Sequence, residues 1–139
     1  MDAPVWRMFG TFQQSHIRIE IEATAAAIRD SLTRPSCLQE WLWPQRLQAD
    51  LPERLHPGLH FTSWLGPVAI EHDVEVVTDL ALRMLLNKGI DGFHEWHWGD
   101  GWVQSRLEGI SLLPLNLGQT LSLMKLREYI TQGDGDLAA

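Results

Sequence analysis

Several segments of this chain alternate hydrophobic and polar residues one by one, a pattern typical of β-strands with one buried face. In the first of them, Ile17, Ile19 and Ile21 lie on one face, and charged or polar residues lie on the other. Six further segments with strand-like patterns follow between residues 45 and 113. The pattern therefore predicts seven strands, of which the first is separated from the other six by a stretch without this alternation.

That intervening stretch has the features of two short helices. Residues 24–33 are rich in alanine and begin with Thr24, a residue type that caps helix N-termini. Pro35 suits the first turn of a second short helix. A longer helix of about 17 residues is predicted after Pro114, with Asn116 as its cap.

The long helix carries apolar residues on most of its surface. They form two rows, Leu117, Leu121 and Met124 on one side and Leu123, Leu126 and Ile130 on the other. Because both rows are apolar, we expect the surrounding structure to clasp this helix rather than support it from one side. Thr120 and Arg127 lie between the rows and would point into the interior if this arc of the helix faces the cavity.

Two turn sequences define hairpins and therefore the inward-facing side chains. The two-residue turn at 66–67, with glycine first, pairs Phe61 with His72 and places Ser63 on the same inner face. The Asp-Gly turn at 100–101 defines a second hairpin. Its inward pairs are Trp98 with Val103, Trp96 with Ser105, and His94 with Leu107, while Glu95 faces Arg106 on the outer side. The link between the strands near residues 68–77 and 80–87 requires a bulge or an odd-length loop.

These elements predict an α+β fold in which a curled, antiparallel, seven-stranded sheet with the order β-α-α-β6-α wraps around the long C-terminal helix. We expect residues 12–132 to form this domain. Residues 1–11 are expected to be an irregular lead-in, and residues 133–139 a flexible tail.

This order of elements resembles the START-like (SRPBCC) superfamily, the helix-grip fold that includes polyketide cyclase/dehydrase-like proteins. The resemblance lies in the opening strand followed by AAAIRDSLTRPSCLQEWLWP, and in GFHEWHWGDGWVQSRLEGISLLP with its closing helix. It is similar to small bacterial members over nearly the whole chain. The resemblance implies a cavity between sheet and helix that holds a lipid, polyketide, isoprenoid-like or other apolar ligand, but it transfers no catalytic residue.

Composition excludes several other classes of protein. The chain has 139 residues, 45% of them hydrophobic, with a formal net charge of -7 and one cysteine. This balance disfavours disorder and nucleic-acid binding, and a single cysteine excludes an internal disulfide. No run of about 18 apolar residues is present, so a spanning helix is not expected. The N-terminal segment has no secretory pattern, so we expect a cytoplasmic monomer or weak dimer.

The residues expected to bind the ligand lie on the inner faces of the strands and of the long helix. They are Phe61, Ser63, His72, Leu82, Met84, His94, Trp96, Trp98, Ser105, Thr120, Leu121, Met124 and Arg127. His72 and His94 would orient the ligand or shuttle a proton, unless they are core histidines bonded to the backbone. Arg127 would meet an anionic head group, unless it reaches out to solvent.

No metal or cofactor is expected. His94 and His97 have an H-x-x-H spacing, but in a strand this spacing puts them on opposite faces. The leading hypothesis is therefore a non-enzymatic binder of a small apolar or amphipathic molecule. A cyclase- or dehydrase-type enzyme with a cavity histidine and a protein-interaction module remain as alternatives.

Seven tryptophans are an unusual number for this length. The strand registers assign Trp96 and Trp98 to the interior, whereas Trp64 and Trp102 belong to the outer face. Trp41 and Trp43 are expected to seat the second short helix or to cover the cavity, and Trp6 is not placed by any pattern.

Overall fold

The structure is a computed structural model that describes residues 10–138, with side chains described as far as Gly133. Its elements in chain order are β1 (Thr11–Glu20), α1 (Ala25–Thr33), α2 (Pro35–Leu42), β2 (Arg46–Leu47), β3 (His60–Leu65), β4 (Val68–Val77), β5 (Ala81–Lys88), β6 (Ile90–Gly99), β7 (Trp102–Ser111) and α3 (Leu115–Ala138). None of the helices in this part of the chain combines the length and the apolar character needed to cross a bilayer.

The seven strands form a single antiparallel sheet in the order β1-β7-β6-β5-β4-β3-β2. The first strand therefore pairs with the last, and α3 packs on the inner face against β1 and β7. The helices α1 and α2 connect the two edges of the sheet and contact α3. This arrangement confirms the predicted α+β helix-grip architecture.

The predicted hairpin registers are confirmed. Phe61 pairs with His72 across β3 and β4, and the second hairpin places Glu95 opposite Arg106. The expected irregularity between β4 and β5 is a shift of register between Val74 and Val76. Because side chains alternate between faces along a strand, these registers determine which residues point inward.

The observed ends of the helices agree in part with those predicted from the sequence. The hydroxyl of Thr24 accepts a hydrogen bond of 3.1 Å from the backbone of Ala27, so Thr24 caps α1 as predicted. Asn116 does not cap α3, since the helix begins one residue earlier, where the Leu115 N–H donates to the side chain of Gln13 at 3.0 Å. The helix also continues to Ala138, past the predicted end near residue 132.

The core shows that α3 is not clasped on both sides. Leu123, Leu126 and Ile130 are at most 5% exposed, whereas the other apolar row is about half exposed: Leu117, Leu121 and Met124. The reason is that α3 lies with one face on the sheet and one flank against α1 and α2, so the flank with Leu117, Leu121 and Met124 has no partner among the described residues.

The boundaries of the domain remain predictions. The predicted lead-in falls within the described residues only at Gly10 and Thr11, and Thr11 already pairs with Ser111 in β1. Trp6 lies outside the described residues.

Candidate ligand-binding cavity

A cavity of about 300 Å³ lies between the inner face of the sheet and α3. Its sheet side includes the buried apolar side chains Ile70, Leu86, Ile90 and Leu107, and its helix side runs from Leu115 to Lys125. Leu42, Pro44 and Gln45 line it near the end of α2. His72 and His94 also line it. The wall is therefore apolar apart from a few polar groups, which is the usual composition of a ligand pocket.

Both histidines face this cavity because of their strand registers. His72 on β4 stacks on the Phe61 ring across the strand pair, with ring centroids 4.4 Å apart and an interplanar angle of 1°. His94 on β6 lies beside Trp96, with centroids 4.6 Å apart and planes tilted by 34°. The His72 ring is thus stacked flat on its aromatic neighbour, whereas the His94 ring contacts its neighbour at a tilt.

Each imidazole is also bonded to a buried serine through its Nε2 atom. The Ser63 hydroxyl lies 2.8 Å from Nε2 of His72 and accepts a bond of 2.9 Å from the amide of Gln45. On the other side of the cavity, the Ser105 hydroxyl lies 2.8 Å from Nε2 of His94. The predicted inward serines are therefore partners of the histidines.

Burial keeps both imidazoles uncharged. Loss of hydration lowers the pKa of His72 from 6.5 to about 4. It lowers the pKa of His94 to about 3, with a smaller contribution from repulsion by His72. Nδ1 of His72 is buried without a hydrogen-bond partner among the described residues. His94 remains partly accessible, and the cavity is the space that it lines.

The sequence analysis missed Gln119, which is 3% exposed on α3 and lines the cavity. Its amide nitrogen donates to the Ser105 hydroxyl at 2.9 Å and to the carbonyl oxygens of Ser105 and Ser15 at 3.0 Å. A signal was present, because Gln119 precedes Leu123, Leu126 and Ile130 by four, seven and eleven residues and so shares the buried helix face.

The predicted ligand-binding residues divide into three groups. His72, His94 and Leu121 line the cavity. The second group is buried behind its wall or elsewhere in the core and consists of Phe61, Ser63, Leu82, Met84, Trp96, Trp98 and Ser105. The third group does not line the cavity and consists of Thr120, Met124 and Arg127. Direct ligand contact by any of these residues stays a prediction.

Arg127 is exposed, so the expectation that it points into the interior is wrong. The arc between the two apolar rows of α3 does not face the sheet, because the buried face centres on Gln119, Leu126 and Ile130. Thr120 lies on the same arc of α3, which does not face the cavity, and its hydroxyl donates to the Asn116 carbonyl at 2.8 Å. The long arginine side chain therefore reaches solvent, as its hydration favours.

The mouth of the cavity is formed by the exposed flank of α3 and the end of α2. Lys125 lines the cavity there and donates to the carbonyl oxygen of Trp43 at 2.7 Å. Trp43 itself is 70% exposed and does not seat α2, in contrast to the prediction, whereas Trp41 is 4% exposed and donates to Ser31. Lys125 is the charged side chain among the described residues that line the cavity.

A second depression, of about 370 Å³, lies at the end of the sheet between Gly10, Pro67 and Leu112. Its charged side chains are Lys88 and Asp91, at the rim of the β5–β6 turn. The buried polar side chain described in its wall is Ser111, whose hydroxyl donates to the Gly89 carbonyl at 2.7 Å. The first cavity brings together two histidines and a buried glutamine and is therefore the better candidate for a site.

No protein-family model matches this sequence, and no curated protein matches it significantly. Solved structures resemble its fold. Protein CV1439 from Chromobacterium violaceum has a TM-score of 0.68 at 14% identity, covering 84% of this chain and 96% of that chain. Aha1 from Colwellia psychrerythraea, solved as a dimer, has a TM-score of 0.65 at 13% identity, covering 85% and 96%.

DynU16, from the dynemicin biosynthetic locus, has a TM-score of 0.65 at 14% identity, covering 86% of this chain and 48% of that chain. At these identities the likeness shows the fold alone.

Proposed function

We propose that this protein binds a small apolar or amphipathic molecule in the cavity between the sheet and α3. The observation that carries the proposal is a cavity of about 300 Å³ with apolar walls and two uncharged histidines. This volume lies at the lower end of the range of about 300–1,000 Å³ found for ligand pockets. Apolar burial would drive binding at about 25 cal/mol per Å².

The class of ligand, the cellular location and the oligomeric state belong to the same proposal. The resemblance to the START-like superfamily implies a lipid, polyketide or isoprenoid-like ligand, and the shared fold of DynU16 and Aha1 supports the architecture that such a role needs. A cytoplasmic monomer or weak dimer is consistent with the acidic surface expected from a net charge of -7.

An enzyme of the cyclase or dehydrase type is the second candidate, because His94 lines the cavity and lies 2.8 Å from a hydroxyl. A general base works best when its pKa is close to the operating pH. With its pKa lowered to about 3, His94 is a weak base at neutral pH. The electrostatics therefore favour ligand binding over proton transfer.

A protein-interaction role receives less support. It would require a contiguous apolar patch around Trp64 or Trp102 on the outer face. The guanidinium of Arg18 lies over the Trp102 ring at 4.3 Å from its centroid, and both tryptophans are only partly exposed.

Replacing Gly118 by phenylalanine is expected to block the cavity without damaging the fold. Gly118 lines the mouth, and a Cβ atom built on it meets no described atom within 4 Å. A neutral fluorescent probe, N-phenyl-1-naphthylamine, would be titrated into the wild-type protein and the variant. We expect its affinity to fall at least about tenfold, because a bulky side chain excludes the probe from the apolar wall.

Gly133→Phe is the matched control, since Gly133 lies on the same helix, is exposed and also has open space around its Cβ. Both changes replace a helical glycine and should leave stability equal or slightly higher. Equal probe binding by the two variants would refute the proposed site, and absence of binding to the wild-type protein would refute the proposed function. Native mass spectrometry of protein from its own host would then identify a retained molecule.

A further inference from the structure

We infer that His94 presents an unpaired Nδ1–H donor to the cavity, and that the natural ligand is an uncharged molecule whose buried end carries a hydrogen-bond acceptor such as a carbonyl oxygen. This inference rests on the proposed function and adds the chemical class of the ligand. It follows from the donor-to-acceptor direction along a series of linked, buried hydrogen bonds that runs from α3 through β1 and β7 to β6.

The direction is set first at Gln119. Its Nε2 atom lies 3.0 Å from the carbonyl oxygens of Ser15 and Ser105, which only accept hydrogen bonds. The opposite amide orientation would point an oxygen at both carbonyls. The nitrogen therefore faces them, and the Gln119 oxygen accepts from the Ser15 hydroxyl, which in turn accepts from Asn116 at 2.7 Å.

The same direction continues through Ser105 to His94. Since the Gln119 amide donates to the Ser105 hydroxyl oxygen at 2.9 Å, the hydroxyl hydrogen remains available, and Nε2 of His94 lies 2.8 Å away. If Nε2 carried the proton instead, the fully buried Ser105 hydroxyl hydrogen would have no acceptor among the described residues. Nε2 therefore accepts, and the proton of the neutral ring lies on Nδ1.

His72 is less constrained. Its serine partner bonds to Gln45, whose amide is not held by carbonyl oxygens on both sides, so either ring tautomer is compatible with the contacts. His94 is therefore the residue whose donor direction the fold determines. Its Nδ1 has no partner among the described residues, which leaves this donor for a ligand.

The charges around the cavity select an uncharged ligand end. Among the described lining residues, the cation is Lys125, and it is held at the mouth by the Trp43 carbonyl. A carboxylate beside His94 would be desolvated by an apolar wall and would receive a single neutral donor, which does not offset the loss of hydration. A carbonyl oxygen loses less hydration and needs only that one donor.

The tautomer is tested on the unmodified full-length protein. Two-bond ¹H–¹⁵N correlation spectra of uniformly labelled protein at pH 7.5 distinguish Nδ1–H from Nε2–H rings. We expect the Nδ1–H form for His94. Observation of the Nε2–H form, or of an average of the two, would overturn the inference regardless of whether any ligand binds.

The ligand class is tested with an isosteric pair, 2-nonanone and 2-methyl-1-nonene, and with the anion nonanoate, each in competition with N-phenyl-1-naphthylamine. Compared with the wild-type protein, His94→Phe is expected to bind the ketone about 3- to 10-fold more weakly relative to the alkene. This is the factor that one neutral hydrogen bond contributes to affinity. Nonanoate is expected to bind the wild-type protein at least about tenfold more weakly than the ketone because its charge is not compensated.

The outcomes separate the two proposals. If all three compounds bind but the ketone-to-alkene ratio is unchanged in His94→Phe, or nonanoate binds as tightly as the ketone, the assigned ligand class is wrong and the proposed function stands. If none displaces the probe and the probe itself does not bind, both fail. If His94→Phe does not fold, the tautomer measurement still decides the inference.

Discussion

Lowering the pH from 8 to 5 is expected to reduce the free energy of unfolding by about 4 kcal/mol, or about 2 kcal/mol for each buried histidine. In the folded protein the pKa of His72 is lowered to about 4 and that of His94 to about 3, whereas both are near 6.5 when hydrated. Below pH 6.5 the unfolded chain therefore binds two protons that the folded protein does not. Stability is complete above pH 6.5 and is lost as the pH falls toward the folded pKa values.

The window between pH 6.5 and 5 isolates this effect from the carboxylates. Hydrogen bonds from His16, Arg106 and Gln14 lower the pKa of Glu108 from 4.5 to about 2. A lowered carboxyl pKa contributes stability above 4.5 that is lost only at lower pH. Glu95, whose pKa is lowered mainly by its bond to His97, behaves in the same direction. Acid unfolding should thus begin with the histidines.

Urea unfolding at pH 8, 6.5 and 5 measures the effect. Changing His94 to glutamine should remove about half of the pH-dependent loss, about 2 kcal/mol, because one titrating site is deleted. His56→Gln is the control, since His56 is exposed and its ring is bonded to the neighbouring Pro57 carbonyl. Equal unfolding free energies at pH 8 and pH 5 would show that the two rings are not buried as uncharged groups.

Truncating Trp98 to alanine is expected to destabilise the protein by about 3–5 kcal/mol, the usual cost of removing a large core aromatic. Trp98 is 1% exposed, and its register partner Val103 is fully buried. Its indole nitrogen also donates to the Asp79 carbonyl at 2.8 Å. The substitution would therefore leave a cavity in the core and remove the donor to the Asp79 carbonyl.

Trp102→Ala is the matched control from the same hairpin. Trp102 lies on the outer face under Arg18, so its loss should cost about 1 kcal/mol from the stacked contact and partial burial. Denaturant unfolding of both variants, with unchanged m-values, gives the comparison. Similar costs for the two tryptophans would contradict the assignment of one to the core and the other to the surface.

The parts of the fold that local pattern controls were predictable. The Asp-Gly turn and the opposite charges of Glu95 and Arg106 determined the last hairpin, and the bulge between β4 and β5 followed from the need to keep both apolar faces inward. Those registers also placed His72 and His94 on the inner face. They did not reveal which inward residues would border empty space.

The rotation of α3 was not predictable from its own sequence. The helix has two apolar rows, and only the positions of the sheet, α1 and α2 decide that Leu123, Leu126 and Ile130 are buried while Leu117 and Leu121 flank the cavity mouth. That rotation turned Arg127 to solvent and brought Gln119 to Ser105. A glutamine on a helix is ordinarily a surface residue, so composition argued against this role.

Local sequence patterns were sufficient to predict the order of elements, the strand registers and the inward direction of the two histidines, because each depends on residues close together along the chain or joined by a short turn. Three other features follow from the packing of the elements against one another: the cavity, the burial that keeps both rings uncharged, and the hydrogen-bond chain from Gln119 to His94. These depend on contacts between α3 and strands that are distant in sequence, and no local periodicity encodes the distance or angle at which such elements meet.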